Sequence, residues 1–194
     1  MVGPQGDGYQ PGRSPGPDEA AAYHRPQIEA FAAAGADMVS ALTLTSTGEA
    51  IGIVQAARAV GLPVTISFTV ETDGRLPGGR PLAGAISEVD GYVGPDYFMV
   101  NCAHPTHIAR ALAEPGPWRQ RIRGLRYNAS AKSHAELDDA TDLDEGNPRL
   151  LAGQHARLVP LLPPVPVLGG CCGTDARHVA ALWGADHQTR RDTP

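Results

Sequence analysis

Apolar and polar positions alternate along this chain with two different periods, and stretches of the two kinds follow one another. The clearest strand pattern lies at 63–70, where valine, isoleucine and phenylalanine alternate with threonine and serine. Helical spacing of apolar residues is clearest at 47–60, directly before a glycine that ends the helix. Taken along the whole chain, the pattern of apolar and polar residues predicts five strands, at 36–42, 63–70, 97–101, 122–127 and 165–168.

Helices are predicted between these strands and on both sides of them. They lie at 18–34, 47–60, 81–89, 104–113, 148–161 and 175–184, with a further short helix within 133–144. Pro26 is expected to kink or restart the first helix, because proline removes a backbone donor from a helix interior. The glycine- and proline-rich start, 1–17, and the end, 185–194, are expected to be loop or tail.

The alternation of strands with helices predicts parallel βαβ units in one sheet, and therefore an α/β protein. Nothing in the composition marks a boundary between domains, so we expect 1–194 to form a single domain.

The net charge and the hydropathy of the chain argue against nucleic acid and membrane as binding partners. The net charge of −5 gives no basic surface of the kind that nucleic-acid binding requires. No apolar run is long enough to cross a bilayer, and the N-terminus lacks the basic and apolar regions of a signal peptide. A cytoplasmic protein that binds neither nucleic acid nor membrane is therefore expected.

The chain has three cysteines, and all of them follow predicted strands. Cys102 follows the third strand, whereas Cys171 and Cys172 follow the fifth. Because neighbouring side chains of a strand point to opposite faces, two adjacent thiols reach one point only where the backbone leaves strand geometry. Gly170 and Gly173 permit that departure. If the two strands share one parallel sheet, the three thiols are expected to converge on a metal.

Two structural explanations of the cysteines stay open beside metal binding. A cysteine is often a small buried apolar residue, and Cys102 taken alone fits that role. Cys171 and Cys172 can also form a strained disulfide between neighbours, which would suit a redox-responsive thiol protein. The glycines around the pair and the lack of any other cysteine favour a metal site.

Gly-Gly-Cys-Cys-Gly-Thr after one strand, together with Asn-Cys at the end of an earlier one, resembles the zinc-dependent homocysteine S-methyltransferases. The resemblance extends from about Gly3 to about Trp183. It implies a TIM (β/α)8 barrel, which needs about 250 residues when complete. About five βα units fit the 194 residues here, so a partial barrel that matches strands four to eight is expected. Its open edge is expected to be covered by a second copy or by a partner chain.

The resemblance also implies a chemistry. Cys102, Cys171 and Cys172 are expected to bind Zn2+ and to leave its fourth position open, as in catalytic zinc sites. The thiol of homocysteine then attacks an electrophilic methyl group and gives methionine. Relatives take the methyl group from S-methylmethionine, S-adenosylmethionine, betaine or a methylfolate, and the sequence does not distinguish these donors. The alternative is a non-catalytic zinc-binding barrel fragment that needs a partner chain.

Two asparagines and one leucine bear on the substrate. Asn101 and Asn128 stand at strand ends, where each is expected either to orient the amino-acid part of the substrate or to form a turn. At the position matched by Leu42 the resembled family usually carries a glutamate that holds the homocysteine amino group. Because leucine cannot pair with an ammonium group, a related thiol or a selenol is an alternative acceptor.

The histidines offer a further ligand only near Cys102. His104 or His107 as a fourth ligand would close the site and make it structural. We favour the other interpretation, in which His104 caps a helix and His107 is solvated. The remaining histidines are scattered and are expected at the surface: His24, His134, His155, His178 and His187.

Overall fold

The computed structural model describes the backbone of residues 13–191 and the side chains as far as residue 184. Five parallel strands form one sheet and stand in it in the order of the chain. An order without reversal is the arrangement of a barrel wall rather than of a doubly wound sheet. The predicted strands are confirmed, with ends displaced by a few residues: β1 (Val39–Leu44), β2 (Val64–Phe68), β3 (Tyr97–Ala103), β4 (Ile122–Tyr127) and β5 (Val167–Gly170).

Helices follow the strands and pack on one another in an outer layer, α1 on α2, α2 on α3, and α6 on α7. None of the helices that the structure describes combines the length and the apolar character that crossing a membrane requires. Short 3₁₀ turns precede β4 and follow α6. The helices are α1 (Pro17–Ala33), α2 (Thr47–Ala59), α3 (Leu82–Val93), α4 (Pro105–Ala111), α5 (His134–Asp138), α6 (Pro148–Leu158) and α7 (Ala176–Arg191).

The first helix differs from its prediction. α1 runs through Pro26 as one helix, although a proline in a helix interior costs about 3 kcal/mol. Close packing on α2 offsets this cost, because a Cβ placed on Gly52 would lie 2.6 Å from the Cβ of Ala20. The two helices therefore touch at their backbones. The predicted loop at 1–17 falls mostly outside the described residues, and α1 begins at its last position, Pro17.

The last helix also differs from its prediction. α7 continues to Arg191, so the predicted tail at 185–194 is wrong for the part of it that the structure describes. Gly184, which was expected to end the helix, lies inside it. A glycine costs a helix interior about 1 kcal/mol relative to alanine and does not forbid the conformation.

The sheet separates an apolar layer from a more polar inner face. Phe68 and Phe98, on neighbouring strands, belong to the apolar core under the helices, and their rings stack 6.1 Å apart. The intervening residues point to the opposite face, where Ser67 donates a hydrogen bond to Asn101 across the strands. Both of these polar residues are buried. The inner face therefore carries buried, hydrogen-bonded polar side chains close to the carboxyl ends of β2 and β3.

Two bulges near the carboxyl ends of strands shape that edge of the sheet. The register shifts in β1 around Thr43 and in β3 around Cys102. At these positions φ is positive, 60° for Thr43 and 55° for Cys102. Residues with a Cβ rarely adopt this conformation, so neighbouring contacts must hold it in place.

Within the described residues the sheet does not close on itself. β1 pairs only with β2, and β5 pairs only with β4. Leu42, on the β1 edge, keeps 38% of its surface exposed. The part of the chain that the structure describes is thus a section of barrel wall with two edge strands.

Candidate metal centre

Three thiols meet at the carboxyl edge of the sheet. The sulfur of Cys102, at the end of β3, lies 2.9 Å from that of Cys171 and 3.6 Å from that of Cys172. All three sulfur atoms lie within 4.8 Å of one another. Cys102 is buried, Cys171 is half-buried and Cys172 is exposed, so the cluster opens toward the rim. The structure therefore brings the three thiols together at one point, as the sequence predicts.

The turn after β5 brings two adjacent thiols to one side. The backbone N–H of Cys171 still donates to Tyr127 of β4 at 2.7 Å, as in the sheet. The chain then turns away through Gly173, whose φ is +74°. A Cβ on Gly173 would lie 2.5 Å from the carbonyl oxygen of Asp144, and one on Gly170 would overlap the Thr174 side chain. Each glycine is thus required by its surroundings, and Gly173 by its backbone conformation as well.

The carbonyl oxygen of Cys102 is held by three side chains. It accepts hydrogen bonds from the Thr69 hydroxyl at 3.2 Å, the Asn128 amide at 3.1 Å and the ring of His134 at 2.8 Å. All three side chains are buried. Because this carbonyl belongs to a residue with positive φ, the three donors stabilise the strained conformation that aims the Cys102 thiol.

The His134 ring is itself positioned by a carboxylate. Its other nitrogen, Nδ1, lies 2.6 Å from Glu71 Oε1. Glu71 follows β2, and His134 begins α5, whose N-terminus carries a capping box of Ser133 and Glu136. Partners behind a metal ligand orient it and tune its affinity, so the pair of Glu71 and His134 belongs to the site.

The pKa values of the two neighbouring thiols, Cys171 and Cys172, shift in opposite directions. A hydrogen bond from the Cys102 thiol lowers the pKa of Cys171 to about 5, against the opposing effect of burial. The charge of Arg126 acts in the same lowering direction. Burial and the negative charge of Cys171 raise the pKa of Cys172. Cys171 therefore forms its thiolate first, and a metal ion held by the three cysteines would replace the remaining thiol protons.

The donor set fits zinc. Thiolate sulfurs are soft ligands, and zinc–sulfur bonds of about 2.3 Å in a tetrahedral site place sulfurs about 3.8 Å apart, so small movements accommodate the ion. Among the described residues, no histidine or carboxylate joins the three cysteines at ligand distance. His104 instead caps α4, where its Nδ1 accepts from the N–H of Thr106. A fourth ligand from His104 or His107 therefore finds no support.

The sequence model of the homocysteine S-methyltransferase family matches residues 1–185 of this chain. The chain belongs to the homocysteine S-methyltransferase family. This agrees with the paired-cysteine motif and with the predicted resemblance.

Relatives of this homocysteine S-methyltransferase family member are longer than it is. The homocysteine S-methyltransferase of Escherichia coli strain K12 is 27% identical over 176 residues, which cover 83% of this chain and 51% of the relative. The chain thus spans about half the length of that relative.

Solved structures of the homocysteine methyltransferase MmuM from Escherichia coli resemble the fold. The apo form matches with a TM-score of 0.60 and 23% identity, over 90% of this chain and 60% of the other. The metallated form matches with a TM-score of 0.62 and 22% identity, over 91% and 54%. At these identities the likeness shows the fold, a section of the MmuM TIM barrel, which confirms the predicted fold class.

The two asparagines of this family member have protein partners. Asn101 Oδ1 accepts from the N–H of Thr43 and the hydroxyl of Ser67, and its Nδ2 donates to the Thr43 hydroxyl at 2.6 Å. Asn128 Oδ1 accepts from the N–H of Cys172 at 3.2 Å, in addition to the bond from its Nδ2 to Cys102. Asn101 thus ties the end of β3 to β1 and β2, and Asn128 ties the end of β3 to the turn after β5. Substrate contact by either one stays a prediction.

Sequence reasoning missed the histidines. His107, expected in solvent, is buried and lies 3.0 Å from the carbonyl oxygen of Ala131. The expected surface position is also wrong for four other histidines, whereas the side chain of His187 lies outside the described part. The only available signal was that His134 starts a helix next to the end of a strand, where barrel sites are built. The four buried histidines are His24, His134, His155 and His178.

Proposed function

We propose that this chain carries the metal-binding and thiol-activating part of a homocysteine S-methyltransferase. Cys102, Cys171 and Cys172 bind Zn2+, and a methyl group is transferred to the thiol of homocysteine or of a related compound. The observation that carries the proposal is the convergence of three thiols from two strand ends, at 2.9 and 3.6 Å from Cys102. Membership of the family supports the reaction class.

The reaction joins the acceptor sulfur to a methyl carbon. When bound, zinc supplies a Lewis acid that favours the thiolate form of an incoming thiol at neutral pH. The acceptor releases its thiol proton to solvent, and its sulfur attacks the methyl carbon. The bond between that carbon and the donor breaks, and its electron pair leaves with the donor. Homocysteine thereby becomes methionine.

The side chains around the cluster hold the ligands rather than move protons. Thr69, Asn128 and His134 fix the Cys102 carbonyl, while Asn128 also holds the backbone of Cys172. Ligands held in this way lose little freedom when a metal binds. A reducing compartment such as the cytoplasm would keep these three thiols available for a metal.

Zinc content tests the proposal directly. Protein purified under reducing conditions should contain about one zinc per chain, and Cys102→Ser should lower that content strongly. Asn147→Ala, which removes the α6 cap without touching a thiol or His134, serves as the control and should keep its zinc. Folded wild-type protein that takes up no zinc would overturn the metal site. Reversible oxidation of such metal-free protein would favour a redox-responsive thiol protein instead.

Methyl transfer is the second half of the test. Zinc-loaded protein should methylate homocysteine with one of S-methylmethionine, S-adenosylmethionine, betaine or a methylfolate, and the product can be followed by mass spectrometry. Zinc binding without transfer from any of these donors would favour the alternative, a zinc-binding barrel section that needs a partner chain. The observation behind this alternative is that β1 and β5 each pair on one side only within the described residues.

A further inference from the structure

An arginine of β4, Arg126, lies on the inner face of the sheet next to the thiols. Arg126 stands in register with Asn101 on β3 and with Gly169 on β5. Its neighbours Leu125 and Tyr127 belong to the apolar core on the helix side. Because side chains alternate along a strand, Arg126 points to the opposite face, the one that carries the Asn101 network.

The Arg126 side chain reaches the turn that holds two of the thiols. Its Nε donates to the carbonyl oxygen of Gly170 at 3.3 Å, directly before Cys171. The side chain runs beside Gly169 of β5, where an added Cβ would make ordinary contact with Arg126 Cγ at 3.9 Å. The guanidinium is therefore held by one of its nitrogens beside the candidate metal centre.

The terminal nitrogens of this guanidinium have no partner in the part of the chain that the structure describes. Among the described residues, no carboxylate pairs with Arg126, and its two terminal nitrogens make no hydrogen bond. Arg121, directly before the same strand, shows the contrast, since it donates to both carboxylate oxygens of Asp90 at 2.8 and 3.0 Å. The charge of Arg126 acts on the Cys171 thiolate through space. Its terminal nitrogens, which have no hydrogen-bond partner among the described residues, can still form charge-assisted hydrogen bonds to a second anionic group.

We propose that Arg126 binds the carboxylate of the methyl acceptor, so that the site selects thiols that carry an acid group. The inference rests on the proposed function and specifies its substrate class. The planar guanidinium matches the two oxygens of a carboxylate, which a lysine does less well. Neighbouring strands lie about 4.8 Å apart, a distance that a thiol acid with a few carbon atoms covers.

A matched pair of thiols tests this assignment in the cobalt-loaded protein. Cobalt(II) replaces zinc, and binding of a thiol is followed by the change in its visible absorption. The ligands are 3-mercaptopropionate and its neutral amide, 3-mercaptopropionamide. Arg126→Gln should weaken binding of the acid by about 10-fold or more and leave binding of the amide within about twofold, because one charge-assisted contact is lost. Arg126→Lys should fall between wild type and Arg126→Gln.

Control variants separate this inference from its rivals. Arg123→Gln changes an arginine near the start of the same strand and should bind both thiols as the wild type does. If Arg126→Gln weakens the binding of both thiols equally, or alters the cobalt spectrum before any thiol is added, the inference is overturned. Arg126 would then serve to hold the turn that carries Cys171 and Cys172. Failure of the wild type to bind cobalt would overturn the proposed function itself, and this inference with it.

Discussion

The amide of Asn128 joins the two loops that carry the thiols, because its Nδ2 donates to the carbonyl of Cys102 at 3.1 Å. Its Oδ1 accepts from the N–H of Cys172 at 3.2 Å. One buried side chain at the end of β4 thus spans the gap between the ends of β3 and β5. The distances between the sulfur atoms depend on it.

Replacement of Asn128 by leucine should therefore weaken metal binding. Both hydrogen bonds are lost at similar side-chain volume, so zinc affinity should fall about 10- to 100-fold, as measured by competition with a chelator. Asn147→Ala is the matched control, because Asn147 only caps α6. It should lower stability by about 1 kcal/mol and leave zinc affinity unchanged. Equal affinities of wild type and Asn128→Leu would contradict this account.

The second prediction concerns His134, the shortest of the three contacts to the Cys102 carbonyl. His134→Ala removes that donor and leaves Glu71 without its partner, so zinc affinity should fall about 10-fold. His24→Ala removes a comparably buried histidine that bonds to Glu49 between α1 and α2. This control should lose stability in thermal unfolding but keep its affinity for zinc. Similar affinities of the two variants would show that His134 does not act on the metal centre.

The third prediction is a pH dependence of thiol alkylation in metal-free protein. Because the pKa of Cys171 is lowered to about 5, its thiolate forms above that pH and should react with iodoacetamide near pH 6. Cys172, whose pKa is raised by burial and by the charge on Cys171, should react only at alkaline pH. Peptide mass spectrometry distinguishes the two sites.

A variant checks the cause of this difference. Cys102→Ala removes the hydrogen bond that lowers the Cys171 pKa most, so the alkylation midpoint of Cys171 should rise toward the ordinary thiol value. An unchanged midpoint would mean that Cys102 does not stabilise the Cys171 thiolate.

The fourth prediction compares two glycines with nearly equal φ. Gly173 and Gly61 have φ of +74° and +75°, but an added Cβ meets Asp144 at Gly173 and open space at Gly61. Gly61→Ala should cost about 1 kcal/mol of unfolding free energy through backbone strain alone. Gly173→Ala should cost more and should also reduce zinc binding, because it displaces the cysteine turn. Chemical denaturation and metal analysis of both variants check this, and equal behaviour would contradict it.

The sequence was sufficient for the sheet and for the convergence of the three thiols. Alternation within 63–70 predicts a strand that is buried throughout as β2. The positions of Cys102, Cys171 and Cys172 after predicted strands, with glycines around the pair, predict that the thiols meet, because the ends of parallel strands lie at one edge. Both features can be predicted because each depends on the order of residues within a short stretch of the chain.

Contacts between distant residues were beyond sequence reasoning. Thr43 bonds to Asn101 across 58 positions, and Glu71 meets His134 across 63 positions. No local period marks such pairs, so the burial of His134 and the positive φ of Cys102 appear only in three dimensions. The unbroken helix through Pro26 has the same origin, since its packing on α2 outweighs the local preference of proline.

The position of the thiols at the ends of β3 and β5 has a consequence for the folding of the chain. β5 has only four residues and hydrogen-bonds to a single neighbour among the described strands. An ion held by Cys102 and the cysteine pair would close a covalent-like loop over 69 residues and fasten this short strand to the centre of the sheet. Metal occupancy and docking of the last βα unit are then one equilibrium, so a chelator should loosen the C-terminal unit before the rest of the sheet.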